Sequence, residues 1–421
     1  MFLTSVLLSV LVVIAALTHL AIAVYFRTKL VLQTFEPATD GQSGLASVIL
    51  AIRGHDPGLR ENLLGLLEQD YENFDIHLVI DHRRDSAWDM AHQIKEQFDH
   101  DHRISIHEMT KPIKTCGLKC SAILQALEQL HPNTKYMLLI DADVIPHKSW
   151  MSQLVAPLAD KKIGVVTGNQ WFEPKSLSVG SILRSLWNAG AIVPTAIYNN
   201  PWAGSFAMRM EDVRKARLPK IWRRSIVDDG PIRKALQPLG LSIYFAPNLI
   251  MVNREKCTLG YVFRYIRRML TWSRIYETTF LNTVIHAALS VGLILAAFVS
   301  FVSSLVFGDW QAATIVGTGM AIAGLLSACS YLAVRNAVSL SAGTRGEELG
   351  VASLARVAVV LALTPFAYMI YGFSCLQACL CQHIQWRQIT YRLNGKSQVK
   401  MVRYQPWIAA EPEKIQSEVS I

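Results

Sequence analysis

Three acidic pairs and one arginine–tryptophan motif have the residue types and spacing for chemistry. Asp141-Ala-Asp143 follows the apolar run Tyr136-Met-Leu-Leu-Ile140. Two carboxylates one residue apart at a strand end can jointly reach a divalent cation. A hard ion such as Mg2+ or Mn2+ prefers oxygen ligands and, bridging a diphosphate, would neutralise charge on a departing phosphate. The plainer reading is a turn whose aspartates cap a helix near Ser149. Asp81 and Asp85 form the second pair, with Asp81 directly after Leu78-Val-Ile80. An acceptor carboxylate there could hold the N3–H of a uracil or a ribose hydroxyl. Spacing does not choose between Asp81 and Asp85, and a polar helix N-terminus explains both equally simply. Val227-Asp228-Asp229-Gly230 is the third. Adjacent carboxylates repel, so burial would raise one pKa, and a carboxylate so poised suits a general base. Asp-Asp before Pro231 is also a good helix start. Arg268-Met-Leu-Thr-Trp272 lies in a basic, aromatic stretch from Tyr261 to Tyr276. Arginine pairs bidentately with phosphate, and tryptophan can line a sugar or lipid site. The same stretch reads as an interfacial amphipathic helix with its aromatics at headgroup level.

Other chemistries lack their patterns. Cys116 and Cys120 have the wrong spacing for a zinc pair, and Cys375, Cys379 and Cys381 sit in an apolar run as packing residues. The histidines form no His-Glu-x-x-His, and Gly117-Leu-Lys119 is not a phosphate-binding P-loop.

The acids need elements to hold them. Ser47–Ile52, Asp75–Ile80, Ile104–Ile106, Tyr136–Ile140 and Gly164–Thr167 read as short buried strands. Between them lie helical patterns: one opening at Pro57 with Leu59, Leu63, Leu66 and Leu67 on a face, a polar one reaching Phe98, and one from Cys120 to Leu130. This alternation predicts an α/β fold with a mostly parallel sheet, whose ligands bind beyond the C-terminal strand ends, after Ile52, Ile80 and Ile140.

The 421 residues are 51% hydrophobic and only 17% charged, with a mean hydropathy of +0.26. That excludes a disordered chain, and seven cysteines are too few for a disulfide scaffold. The average combines two phases. Apolar runs cover Phe2–Phe26, Thr283–Phe307, Ala312–Val334 and Val357–Cys381, the last interrupted by Pro365. Each is long enough to cross a bilayer core of roughly 30 Å. The first has Arg27 and Lys29 after it and nothing basic before it, so it reads as an uncleaved anchor rather than a signal peptide. The expected organisation is an anchor at 1–26, a cytoplasmic catalytic domain at 27–259, a basic interfacial region at 260–282, transmembrane helices at 283–381 and a basic tail at 382–421. The net charge of +9 is then two collars at the membrane surface. One is Arg264, Arg267, Arg268 and Arg274; the other is Arg387, Arg392, Lys396, Lys400 and Arg403. Nucleic acid is not an expected partner. Three crossings after the domain would leave the tail outside, whereas its charge favours the inside. A re-entrant Pro365 segment, or a run lying in the interface, reconciles the two.

The order of these motifs resembles the membrane-bound family-2 glycosyltransferases with a GT-A fold, most closely the ceramide glucosyltransferase branch. Arg53-Gly-His-Asp-Pro-Gly-Leu59 is similar to the branch's stretch after the first strand. Asp81-His82 with Asp85-Ser86-Ala87 resembles its first acidic site, with serine for the usual proline and one extra residue. Gly117-Leu118-Lys119 matches a glycine–lysine element, Trp202-Ala-Gly204-Ser205 a small-residue loop near the acceptor, and Trp386-Arg387 with Tyr391-Arg392 an element after the last membrane run. The resemblance implies inverting transfer of a hexose from a nucleotide diphosphate sugar, a UDP-sugar by preference, to a membrane lipid hydroxyl such as that of ceramide. It implies Asp229 as the general base with Asp228 beside it in the catalytic pair, and Asp141 with Asp143 as ligands of Mg2+ or Mn2+. The donor would meet Asp81, Asp85, Lys119, Asp141, Arg268 and Trp272, and the acceptor Trp202, Gly204 and Ser205. One position departs: where the family has a second arginine before the tryptophan, this chain has Thr271. Arg267 and Arg274 are the neighbours that could replace its charge. The alternatives are a processive polysaccharide synthase, which this departure disfavours, and a non-catalytic scaffold, against which the intact acids argue.

Overall fold

The computed structural model describes residues 2–32, 44–395 and 398–408. Lys396 of the expected basic collar and the end of the expected tail domain lie outside them.

Strands β1 (Leu45–Ile52), β2 (Phe74–Ile80), β3 (Ile104–Glu108), β4 (Thr134–Ile140), β5 (Ile163–Phe172), β6 (Ser205–Arg209) and β7 (Ser242–Asn253) form one sheet in the order β3-β2-β1-β4-β6-β5-β7. The first four pair in parallel, as do β5 and β7, while β6 runs antiparallel to both of its neighbours. The mostly parallel α/β sheet expected from the alternating pattern is therefore present. Its strands are apolar runs buried on both faces, as sheets covered on both sides require.

Helices α1 (Phe2–Leu32), α2 (Leu59–Leu67), α3 (Ser86–Phe98), α4 (Leu118–Leu127), α5 (Trp150–Val155) and α6 (Val179–Ile197) follow in chain order. In α2, Leu59, Leu63 and Leu66 are buried at helical spacing, while Leu67 is only partly covered. Helix α4 starts two residues before the expected Cys120, which brings Lys119 into its first turn. Short helices α7 (Met210–Lys215), α8 (Leu218–Trp222) and α9 (Ile232–Leu236) precede the amphipathic α10 (Leu259–Tyr276). Cys116 and Cys120 are free and buried in the core under α4.

Helices α11 (Phe280–Val306), α12 (Trp310–Gly343) and α13 (Leu354–Leu380) are, with α1, long and apolar enough to cross a membrane. Pro365 lies inside α13, which continues past it, so the expected interruption is absent. The contacts at the helix ends bear on the question of parity. The C-terminal end of α12 sits on the sheet domain: Ser341 donates to the Pro247 carbonyl (2.5 Å) and Arg345 to that of Ile250 (2.7 Å). Helix α13 starts there too, Arg356 pairing with Glu173 and donating to the Pro174 carbonyl (2.7 Å). It also ends beside α10, where Arg274 donates to the carbonyls of Cys379 (2.6 Å) and Cys381 (2.5 Å). The start of α13 therefore lies on the sheet domain and its end beside α10.

The tail strands β8 (His383–Trp386), β9 (Ile389–Leu393) and β10 (Val399–Arg403) form an antiparallel sheet that docks on the same domain. Met401 donates to the Lys114 carbonyl (2.8 Å), and Ile384, Ile389 and Tyr391 join the core that contains Ile49 and Phe206. No local pattern between 383 and 403 announces this second sheet.

Candidate active site

The C-terminal ends of β1, β2 and β4 deliver Arg53, Asp81 and Asp141 to one edge of the sheet, where the fold directs ligands. Because β6 pairs with β4 in the opposite sense, Ile140 stands opposite Ser205 and the Trp202–Ser205 loop lies beside Asp141. Gly204 is required there: a Cβ would come within 2.1 Å of the Trp202 indole and 2.7 Å of Asp141 Oδ2. Trp202 is fixed by Thr167, whose hydroxyl accepts from its backbone N–H (2.9 Å). Ser205 is fully buried and accepts from the Trp150 indole N–H (2.9 Å), so its side chain faces the core.

Lys119 joins two of the acidic pairs. Its ammonium lies 2.5 Å from Asp141 Oδ1 and 2.9 Å from Asp228 Oδ2, and these carboxylates hold its pKa above the usual lysine value despite burial. The loop carrying Asp228 and Asp229 is pinned from several sides. Gly117 donates to the Ser225 carbonyl (2.8 Å), and a Cβ on Gly117 would strike the Ile226 carbonyl. Tyr276 of α10 binds the Ser225 hydroxyl (2.6 Å) and accepts from the Ile226 N–H (2.9 Å), while Trp222 donates to the Asp228 carbonyl (2.8 Å). Asp229 accepts from the Ala203 N–H at 3.4 Å. Burial and the neighbouring Asp228 carboxylate push the Asp229 pKa up to about 7; Lys119 and the Ala203 N–H oppose the shift.

Asp143 is the other perturbed acid, pushed up to about 7 by burial and then by Asp141, Asp56 and Glu255. It accepts from Gln170 (3.2 Å) and Asn253 (3.5 Å) and caps no helix. Helix α5 begins after Ser149 without help from either aspartate. Asp143 and Asp141 offer only oxygen donors, the chemistry that a hard divalent cation such as Mg2+ or Mn2+ takes. Among the described residues no three acidic, histidine or cysteine side chains come together as a metal site. The protein can supply Asp143 and Asp141, leaving further positions for phosphate oxygens and water. The residues therefore fit such an ion.

Asp81 and Asp85 are both occupied. Asp85 caps α3, accepting from the Ala87 N–H (3.0 Å), and its other oxygen accepts from the Gly54 N–H (2.7 Å). Asp81 is fully buried in an ion pair with Arg53 and accepts from the Tyr404 hydroxyl (2.8 Å) and the Trp407 N–H (2.6 Å). On α10, Arg268 lies over the Tyr265 ring at 5.7 Å, and Tyr261 stacks on Tyr265. Trp272 and Trp386 of the tail hairpin both pack, partly buried, against the core that contains Ile49 and Phe206. Arg268 and Thr271 line a small cleft closed by Cys381, Ile384 and Gln385. The sequence reading missed Tyr404 and Trp407, for which no signal existed, and assigned no site role to Arg387, although it quoted the motif that carries it.

A mostly parallel sheet with Asp-x-Asp beyond its fourth strand, joined through a lysine to a buried Asp-Asp pair, fits a glycosyltransferase of the GT-A type. A solved structure of the same fold agrees. The mannosyltransferase PcManGT from Pyrobaculum calidifontis, in complex with GDP-Man and Mn2+, is 16% identical over 89% of this chain and 98% of its own, with a TM-score of 0.50. Glucosyl-3-phosphoglycerate synthase from Mycobacterium tuberculosis, in complex with phosphoglyceric acid, is 15% identical over 59% of this chain and 86% of its own, at a TM-score of 0.37. None of the curated proteins matches the sequence. The chain belongs to glycosyl transferase family 21, whose model matches residues 8–399. The glycosyltransferase resemblance is thus upheld, and the family has the number 21.

Proposed function

We propose that this enzyme transfers a hexose, with inversion, from a nucleoside diphosphate sugar such as a UDP-sugar to the hydroxyl of a membrane lipid of the ceramide kind. The reaction would take place at the cytoplasmic face of the membrane. The observation that carries this reading is the Asp141–Lys119–Asp228 bridge, which fixes the Asp-x-Asp and the Asp-Asp loop as one unit.

Asp229 is the proposed base. Its raised pKa makes the carboxylate a competent proton acceptor near neutral pH. It takes the proton of the acceptor hydroxyl as that oxygen bonds to the sugar's anomeric carbon and the bond to the diphosphate breaks on the opposite face. Asp143, with Asp141, would hold Mg2+ or Mn2+. Such an ion, when bound, stabilises the charge of the leaving diphosphate. Lys119 keeps Asp228 and Asp141 in register, and Arg268 offers a further cation to phosphate. Asp81 and Asp85 shape the nucleoside seat through Arg53 and Gly54. Trp202 and Gly204 form the acceptor wall beside Asp141, with Ser205 supporting it from the core. A lipid acceptor is supported by the proximity of the site to amphipathic α10 and the apolar helices: Tyr276, the last residue of α10, holds the base loop.

The test is incubation of membranes holding wild type or Asp229→Asn with labelled nucleotide sugars and a divalent cation, followed by lipid extraction and mass spectrometry. A hexosylated lipid formed by wild type alone supports the reading. A long sugar polymer instead identifies a processive synthase.

A further inference from the structure

Thr271 occupies the position where the family pattern has an arginine. Its side chain is buried and its hydroxyl donates to the Arg267 carbonyl (2.7 Å). Arg274, a candidate from sequence, uses its guanidinium on the Cys379 and Cys381 carbonyls. A different cation arrives from much later in the chain. Strands β8 and β9 are joined by Arg387 and Gln388, both left-handed (φ 40° and 65°), the backbone a tight two-residue hairpin turn demands. Residues of β8 and α10 line one cleft, Ile384 and Gln385 with Arg268 and Thr271, and Trp386 and Trp272 pack against the same apolar core. Tyr391 of β9 accepts from the Leu118 N–H (3.1 Å) at the start of the helix that bears Lys119.

This placement puts Arg387 among the site's acids. It pairs with Asp56 and donates to the Arg53 carbonyl; Arg53 in turn donates to the Arg387 carbonyl (2.9 Å). Asp143 and Asp85 also stabilise its charge. Its side chain stays 16% accessible, whereas that of Arg53 is 2% accessible and spent on Asp81. A guanidinium has five N–H donors in a planar fork, so it can keep Asp56 and still bind phosphate oxygens.

We propose that Arg387, carried by the tail hairpin, is a donor-binding residue that grips the diphosphate of the nucleotide sugar and supplies the charge missing at Thr271. This rests on the nucleotide-sugar reading above. It makes the tail sheet part of the donor site, so a truncation before β8 removes donor binding as well as tail packing.

The test compares the full-length protein in detergent with Arg387→Lys and Arg387→Ala. Calorimetry with Mn2+ measures UDP, GDP and ADP, each against its monophosphate. The wild type is expected to prefer a diphosphate. Arg387→Ala should lose at least tenfold in diphosphate affinity and less than twofold in monophosphate affinity, with partial recovery in Arg387→Lys. A merely structural arginine would weaken both nucleotides equally. Should Arg387→Ala not fold, Arg387→Gln with Asp56→Asn removes both partners of the buried pair and answers the same question. A wild-type preference that survives unchanged in the folded variant overturns the role of Arg387 alone. A wild type that binds none of the nucleotides overturns the nucleotide-sugar reading, and the role of Arg387 with it.

Discussion

Lys119 and Asp141 meet at 2.5 Å, and the same ammonium lies 2.9 Å from Asp228. One cation thus ties the strand end to the loop that carries the proposed base. It also lowers the pKa of Asp229, opposing burial and Asp228. In Lys119→Met the base should therefore titrate at higher pH. The acid limb of kcat/KM should move upward, with a rate loss of about 100-fold at neutral pH. An unshifted limb would separate Lys119 from the base.

The wild-type profile has a defined sign. Below about pH 7 the Asp229 carboxyl holds a proton and cannot accept another. Transfer should fall with decreasing pH through that value, by about tenfold per unit well below it. A rate that is flat from pH 5 to 8 would remove Asp229 from the proton transfer.

Gly204→Ala tests the fit of the proposed acceptor loop. The added methyl meets the Trp202 ring and the Asp141 carboxylate, both on the site side. Overpacking of this kind costs about 1–3 kcal/mol. The expected result is a lowered unfolding temperature together with a larger loss of kcat than the stability change explains.

Glu173 joins the sheet to the apolar helices. It pairs with Arg335 of α12 (2.9 Å) and with Arg356 of α13, and accepts from the Trp171 indole N–H (3.0 Å), all largely buried. Glu173→Gln leaves two arginines without their anion, a defect worth about 3–5 kcal/mol in buried pairs. Thermal unfolding in detergent should show it, and retention of wild-type stability would mean that water reaches this cluster.

How much was legible follows from the range of each signal. The strands ending at Ile52, Ile80 and Ile140 announce themselves as local apolar runs, and the fold rule then locates the acids beyond them. The antiparallel β6 and the tail sheet depend on contacts far apart in sequence, as in Met401 with Lys114, and no local period reports them. Asp81 and Asp85 look alike in spacing. Only the structure shows that one closes on Arg53, Tyr404 and Trp407 while the other caps a helix.

The parity of the apolar helices has a direct consequence. With α13 starting on the sheet domain and ending beside α10, and β8 to β10 docked on the domain, the tail is expected on the domain's side of the membrane. Single cysteines at Val402 and Leu239, both exposed, should be labelled by a membrane-impermeant maleimide from the same side. Labelling from opposite sides would make α13 a full crossing.

Lipid glycosylation is the decisive readout. Wild-type membranes, given a panel of labelled nucleotide sugars and Mn2+, should yield one hexosylated lipid that Asp229→Asn membranes do not make. No labelled lipid with any donor, or equal labelling by the variant, would contradict a base-catalysed transfer to a membrane lipid.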